Sequence, residues 1–163
     1  MQVELQRVEA GQREVLRQLL QLYAHDFSES LGLDVGDDGR FVEPSLDPYW
    51  QDPRREPYFI RAGGKLAGFA LVHRGSRLSS DADVWDMAEF FVMRRYRRTG
   101  VGTRAAHAVF AAHPGKWEVR QKRENVAARD FWRRAIGAWR RGAFREAELD
   151  DERWRGTVQS FDV

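Results

Sequence analysis

From Val92 the chain reads Val-Met-Arg-Arg-Tyr-Arg-Arg-Thr-Gly-Val-Gly-Thr. A β-prone run, Trp85–Val92, leads into this basic stretch. Two glycines then open an Ala-rich segment, Thr103–Ala112, which Pro114-Gly115 stops. A helix start leaves backbone N–H groups free, and the helix dipole favours negative charge beside them. Glycine lets an anion approach the backbone closely, and Arg97 and Arg98 add charge. The simplest ligand is a pyrophosphate. The Walker A pattern is absent. Gly100, Gly102 and Ala105 fit Gly-x-Gly-x-x-Ala of a dinucleotide fold, but Met93–Thr99 separate the strand from the first glycine. Taken alone, the motif also reads as a helix cap with surface arginines.

The wider pattern is more specific. Val92-x-x-x-x-Arg97-x-x-Gly100-x-Gly102 resembles motif A of the GCN5-related N-acetyltransferases, and Asn125-x-Ala127-x-x-x-Phe131-Trp132-x-x-x-x-Gly137 resembles the second half of their cofactor site. The resemblance covers about Trp85 to Gly137. Tyr23-Ala-His-Asp-Phe-Ser and Glu89-Phe-Phe-Val resemble a small bacterial group of predicted acetyltransferases. The resemblance implies acetyl-CoA as co-substrate, with its diphosphate held by Gly100, Gly102 and the neighbouring amides of Arg97, Arg98, Thr99, Val101 and Thr103. Its pantetheine arm would run along Phe91, Val92 and Met93, where Val92 and Met93 offer backbone groups. The strand here would splay from the next one, Trp117–Arg120, and the amide of Val92 or Met93 would polarise the thioester carbonyl. Asn125 would bond the pantetheine or its surroundings, and Phe131 and Trp132 would line the slot near the sulfur. Many members carry Tyr where this chain has Trp132, and that Tyr is credited with protonating the departing thiolate. An indole N–H is no practical acid, which leaves Tyr96, Tyr23, water or an unassisted thiolate.

An amine attacks only when neutral. For a lysine-like amine at pH 7 the free-base fraction is on the order of 10⁻³ to 10⁻⁴, a penalty of about 4–5 kcal/mol, so a base within reach helps. On the run Trp85–Val92 the candidates are Glu89 and Asp86, which strand alternation places on opposite faces. Glu89 sits among Met87, Ala88, Phe90 and Phe91, where burial raises its pKa toward usefulness; the other use of Glu89 is as a structural partner of an arginine. Asp86, nearer the strand start, is expected to be solvated. Residues 26–52 carry Asp26, Glu29, Asp34, Asp37, Asp38, Glu43, Asp47 and Asp52 against the single base Arg40. This segment lies where the family forms its acceptor side. It favours a cationic amine, or else is a solvated loop. His25, His73 and His113 fit surface roles, as does His107, and no cluster has metal-ligand spacing.

The elements that must position these groups can be read from periodicity. Val3 and Leu5 mark a short strand. Gln12–His25 is an amphipathic helix through Val15, Leu16, Leu19, Leu20, Leu22 and Tyr23. Residues 26–57 read as a loop with a short helical piece around Phe27–Leu31. Tyr58–Ala62 and Leu66–His73 flank the turn Gly63-Gly64. Beyond the strand, turn and helix around Gly100 and the short strand Trp117–Arg120, Asn125 caps a helix over Val126–Ile136 that Gly137 stops. Phe144–Leu149 and Trp154–Phe161 form a closing hairpin. The pattern is that of an α/β domain: a mixed, mostly antiparallel central sheet flanked by helices, with one or two parallel crossovers. This is the fold the resemblance implies.

With 163 residues the chain is expected to form one domain, residues 1–163. Its 42% hydrophobic content supports a packed core. The absence of cysteine excludes a disulfide scaffold and a thiol nucleophile. No apolar run reaches a membrane span and no signal sequence is evident, so a cytoplasmic protein without membrane or metal is expected. Transfer of an acetyl group from acetyl-CoA to a primary amine, by direct attack in a ternary complex, is the expected reaction. The alternative is a non-catalytic acyl-CoA-binding module. Nucleic acid is not expected as a partner, because the phased glycines and Asn125 would have no use there. Members of the family are often homodimers.

Overall fold

The computed structural model describes residues 1–141 and 143–163, with Arg140 described by its backbone. Seven strands, β1 (Val3–Arg7), β2 (Arg55–Ala62), β3 (Lys65–Arg74), β4 (Trp85–Val92), β5 (Lys116–Lys122), β6 (Arg145–Asp150) and β7 (Arg155–Asp162), form one sheet in the order β1-β2-β3-β4-β5-β7-β6. Every neighbouring pair is antiparallel except β4 with β5. Four helices flank the sheet: α1 (Arg13–Leu31), the single turn α2 (Pro48–Gln51), α3 (Val101–Ala112) and α4 (Val126–Arg140). Among the described residues no helix is long and apolar enough to cross a membrane.

Strand alternation sorts the core into two sides. Phe69 and Leu71 of β3 pack with Phe59, Phe91 and the α1 residues Leu16, Leu19 and Leu20. Ala70 and Val72 face the other way, onto Val109 and Phe110 of α3 and Trp132 and Ile136 of α4. β3 and β4 approach very closely at Gly68, where a Cβ would lie 1.9 Å from Phe91 O.

The turn α2 falls within the expected loop 26–57, and three boundaries differ from expectation by more than two residues. The first helix continues past His25 to Leu31, because Tyr23, Phe27 and Leu31 extend its apolar stripe at i+4 spacing while Ser28, Glu29 and Ser30 fall outside it. Gly32 ends it at φ +63°. β2 begins at Arg55, not Tyr58. β1 ends opposite Tyr58, so Pro57 needs no N–H for a partner on that side. α4 runs through Gly137 to Arg140, since Trp139 still packs on His107 and Phe110; Arg141, at φ +52°, is its left-handed cap.

His73 and His113 are buried, contrary to their surface reading. His113 Nδ1 lies 2.8 Å from Val109 O and its Nε2 2.5 Å from Glu56 Oε2. His25 lies within α1, and His107 is half-buried against Ala135 O.

Candidate active site

β4 and β5 are paired only at Trp85–Trp117 and Asp86–Glu118; beyond these residues they diverge and leave a slot. The edge of β4 that faces it can be identified. Met93 N–H donates to Ala67 O at 2.8 Å, and Phe91 O points to Gly68, so both face β3. Backbone groups alternate, and Val92 and Phe90 therefore present theirs to the slot.

A bulge sets the carboxylates. Leu71 is opposite Glu89 while Val72 is opposite Met87, so Ala88 is an extra residue in β4. Asp86 and Glu89 consequently share the α1 side of the sheet, which corrects the alternation argument. Asp86 is also not solvated. It is 0% exposed and receives Arg120 Nε at 3.1 Å and Nη2 at 3.3 Å, with Arg77 Nε 3.8 Å away. It is a buried ion-pair partner, out of reach of an attacking amine. Glu89 accepts the Tyr23 hydroxyl at 2.5 Å. Burial raises the Glu89 carboxyl above the ordinary glutamate range, against the opposing pull of the Tyr23 hydrogen bond and the Arg120 charge. Burial and the neighbouring Glu89 carry the Tyr23 phenol well above its usual value.

Two cavities of about 370 Å³ each meet at these groups. One extends along the slot past Phe90, Asn125, Ala128 and Trp132. The other opens toward Glu43, Leu46, Tyr49, Arg55 and Arg77. Tyr23, Ala88, Glu89 and Arg120 line both. Among the described residues, no group of three His, Asp or Glu side chains is placed to hold a metal ion.

At the far end of the slot, a short 3₁₀ turn, Arg94–Tyr96, leads to α3, whose N-cap Gly100 has φ +82°. The first amide with a backbone acceptor there is Arg104's, on Gly100 O at 3.1 Å; among the described residues those of Val101, Gly102 and Thr103 have none. A Cβ on Gly102 would lie 3.1 Å from the Phe131 ring, so this glycine lets α4 pack against the start of α3.

The profile of the Acetyltransferase (GNAT) family matches residues 16–138. The chain belongs to this family. No curated protein matches the sequence. Among solved structures, an acetyltransferase from Thermus thermophilus is similar at TM-score 0.71 and 17% identity, over 100% of this chain and 98% of that one. An aminoglycoside acetyltransferase in complex with coenzyme A aligns at TM-score 0.67 and 14% identity, covering 99% and 95%. Spermidine N-acetyltransferase from Vibrio cholerae, with coenzyme A and spermine, aligns at TM-score 0.61 and 9% identity, covering 99% and 95%. At these identities the likeness is one of fold.

Within this GNAT fold the expected cofactor residues separate. Val92, Asn125 and Trp132 border the slot, and the Asn125 side chain caps α4 by accepting Ala128 N–H at 3.1 Å. Trp132 packs edge-on to Phe90 and Phe131 at 5.0 Å. Phe131 stacks on Phe90 and braces Gly102. Phe91 is not brought to the slot: its side chain joins the α1 core and its carbonyl faces β3. The Met93 amide is taken by Ala67. Arg97 is drawn off the α3 amides, its Nε on Val92 O at 2.7 Å and its Nη2 on Asp26. Arg98 is exposed at φ +62°, and Thr99 Oγ1 bonds Tyr96 O at 2.6 Å. Tyr96 is buried among Val101, Ala105 and Ile60, away from both cavities, which removes it as an acid.

Sequence reasoning missed Arg120, Arg55, Arg77, Tyr49 and Arg104. Arg104 lies beside the anion turn, with Nη2 3.3 Å from Thr99 O. Its spacing of four from Gly100, one helical turn, was the available signal. Half of the eight acids of residues 26–52 pair with arginines: Asp26 with Arg94 and Arg97, Glu43 with Arg17, Asp47 with Arg13, and Asp52 with Arg54.

Proposed function

We propose that the protein is an N-acetyltransferase that carries an acetyl group from acetyl-CoA to a primary amine by direct attack within a ternary complex. The observation that carries this reading is the position of Glu89, a carboxylate with a raised pKa on the shared wall of two cavities. In this reading the diphosphate rests on the amides of Val101, Gly102 and Thr103, with Arg104 beside them. The pantetheine arm lies in the slot along Val92 and Asn125, and the thioester carbonyl receives the Val92 N–H. The acceptor enters from the cavity that holds Tyr49 and Arg55.

Glu89 takes a proton from the amine, directly or through one water. The amine nitrogen bonds to the carbonyl carbon, and the carbon–sulfur bond breaks. Tyr23 is a poor acid for the departing sulfur, because its phenol is raised well above its usual pKa and already donates to Glu89. A thiol has a pKa near ~8.5, so the thiolate leaves without it. Residues 26–52 do not give the acceptor cavity an excess of negative charge, since Glu43 there is matched by Arg17 and Arg40.

Release of free thiol from acetyl-CoA, with a panel of primary amines, tests the reading. Amine-dependent release that saturates in both substrates is expected. Tight acetyl-CoA binding with no turnover on any amine would favour a non-catalytic module.

A further inference from the structure

The acceptor cavity is lined by Arg55, Arg77 and Arg120 against Glu43 and Glu89, and Glu43 is already paired with Arg17 and Arg40. Asp86 is held by Arg120 at 3.1 and 3.3 Å, yet it is also the nearest carboxylate to Arg77, at 3.8 Å. Asp52 accepts from the Arg54 backbone and side chain, yet it is also the nearest to Arg55, at 3.7 Å. Two carboxylates thus serve four arginines. The Arg55 Nε is buried and has no hydrogen-bond partner among the described residues. The Arg55 side chain is 22% exposed and lines the cavity, so a carboxylate there can reach the rest of its guanidinium and supply acceptors that it lacks. The Arg55 guanidinium carbon lies 5.6 Å from the centre of the Tyr49 ring, and Tyr49, Arg55 and Arg77 all line the same cavity as Glu89. His73, opposite Arg55 in the β2–β3 ladder, is shifted toward its neutral form first by burial and then by the Arg77 and Arg55 charges, against the opposing pull of Asp86.

We propose that the amine accepted here carries a carboxylate, bound between Arg55 and Arg77 beneath Tyr49, while its amino group reaches Glu89. The acceptor is an amino acid or a small peptide-like amine, not a polyamine. This rests on the acetyltransferase reading. A guanidinium binds a carboxylate through paired N–H groups and repels the extra cation of a polyamine. The cavity, about 370 Å³, is of a size that suits such a small molecule.

The test compares kcat/KM for thiol release with matched amines: lysine against cadaverine, and aminocarboxylates of increasing chain length against their carboxamides. At least one carboxylate member is expected to exceed its partner by about tenfold or more. In Arg77→Gln and Arg55→Gln proteins that ratio is expected to fall toward one. Acetyl-CoA affinity, read separately by calorimetry, confirms that each variant is folded. Equal use of each pair, preference for the diamine, or a ratio untouched by both substitutions would overturn the carboxylate site while leaving the acetyltransferase reading in place. Turnover on no amine at all would overturn both.

Discussion

Tyr23 Oη on α1 lies 2.5 Å from Glu89 Oε2 on β4, and the extra residue Ala88 is what brings Asp86 to that same side of the sheet. In an unbulged strand Glu89 would stay on the side of Phe91, and Asp86 would face the opposite side of the sheet, toward Trp132 and Phe110. The bulge therefore sets Asp86 and its partner Arg120 on the same face as Glu89.

Tyr23→Phe removes the hydrogen bond that holds the Glu89 carboxylate down. The Glu89 pKa should rise further, so the acid limb of kcat/KM should move to higher pH. At neutral pH the rate should fall by less than about tenfold, since one hydrogen bond to a charged group is involved. A pH–rate profile that stays in place would separate Tyr23 from the catalytic base.

Glu89→Gln keeps an acceptor for Tyr23 but loses the base. The rate should fall by roughly 10² or more, with acetyl-CoA affinity unchanged and the acid limb abolished. Stability should respond in the other direction. The fold raises the Glu89 pKa, so the folded state holds that proton more tightly than the unfolded chain. Stability then declines as pH rises from about 4.3, the unfolded value, through the raised one. The Gln variant lacks that decline and should melt no lower than the parent at pH 7. A marked loss of Tm would assign Glu89 a structural role.

Arg120→Met leaves the carboxylate of Asp86, which is 0% exposed, with Arg77 at 3.8 Å as its one remaining cation among the described residues. A loss of about 3–5 kcal/mol in denaturant unfolding is expected. Asp86→Asn combined with Arg120→Met should recover most of it. Simple additivity of the two substitutions would contradict the pairing.

Gly68→Ala places a Cβ 1.9 Å from Phe91 O, a backbone atom that cannot swing aside. β3 and β4 must separate, and a loss of at least about 2 kcal/mol is expected. Gly11→Ala, with nothing within 4 Å, should change little. Equal melting temperatures for the two variants would contradict the close approach.

Much of the fold is legible in the chain because period-2 and i+4 patterns report directly on which side is buried. The order of strands and helices follows from them, as do the Gly100 turn and the Asn125 cap. What local pattern does not carry is pairing register. The bulge at Ala88 depends on how β4 meets β3, so the shared face of Asp86 and Glu89 could not be read from β4 alone. The burial of Asp86 likewise depends on Arg120, 34 positions away. The pairing of the acidic run 26–52 is hidden for the same reason: Arg13, Arg17, Arg94 and Arg97, which neutralise Asp47, Glu43 and Asp26, come from α1 and the turn before α3. Gly137 looked like a helix stop because the contact that carries α4 onward, Trp139 on Phe110, is tertiary.

The central claim is that free amides at the start of α3 hold the diphosphate of the acyl carrier and so deliver the acetyl group to the slot beside β4. Titrating ¹⁵N-labelled protein with acetyl-CoA measures this directly. The amide resonances of Val101, Gly102, Thr103 and Val92 should move together and saturate with one affinity. Saturation with those four amides unmoved, or no binding at all, would contradict it.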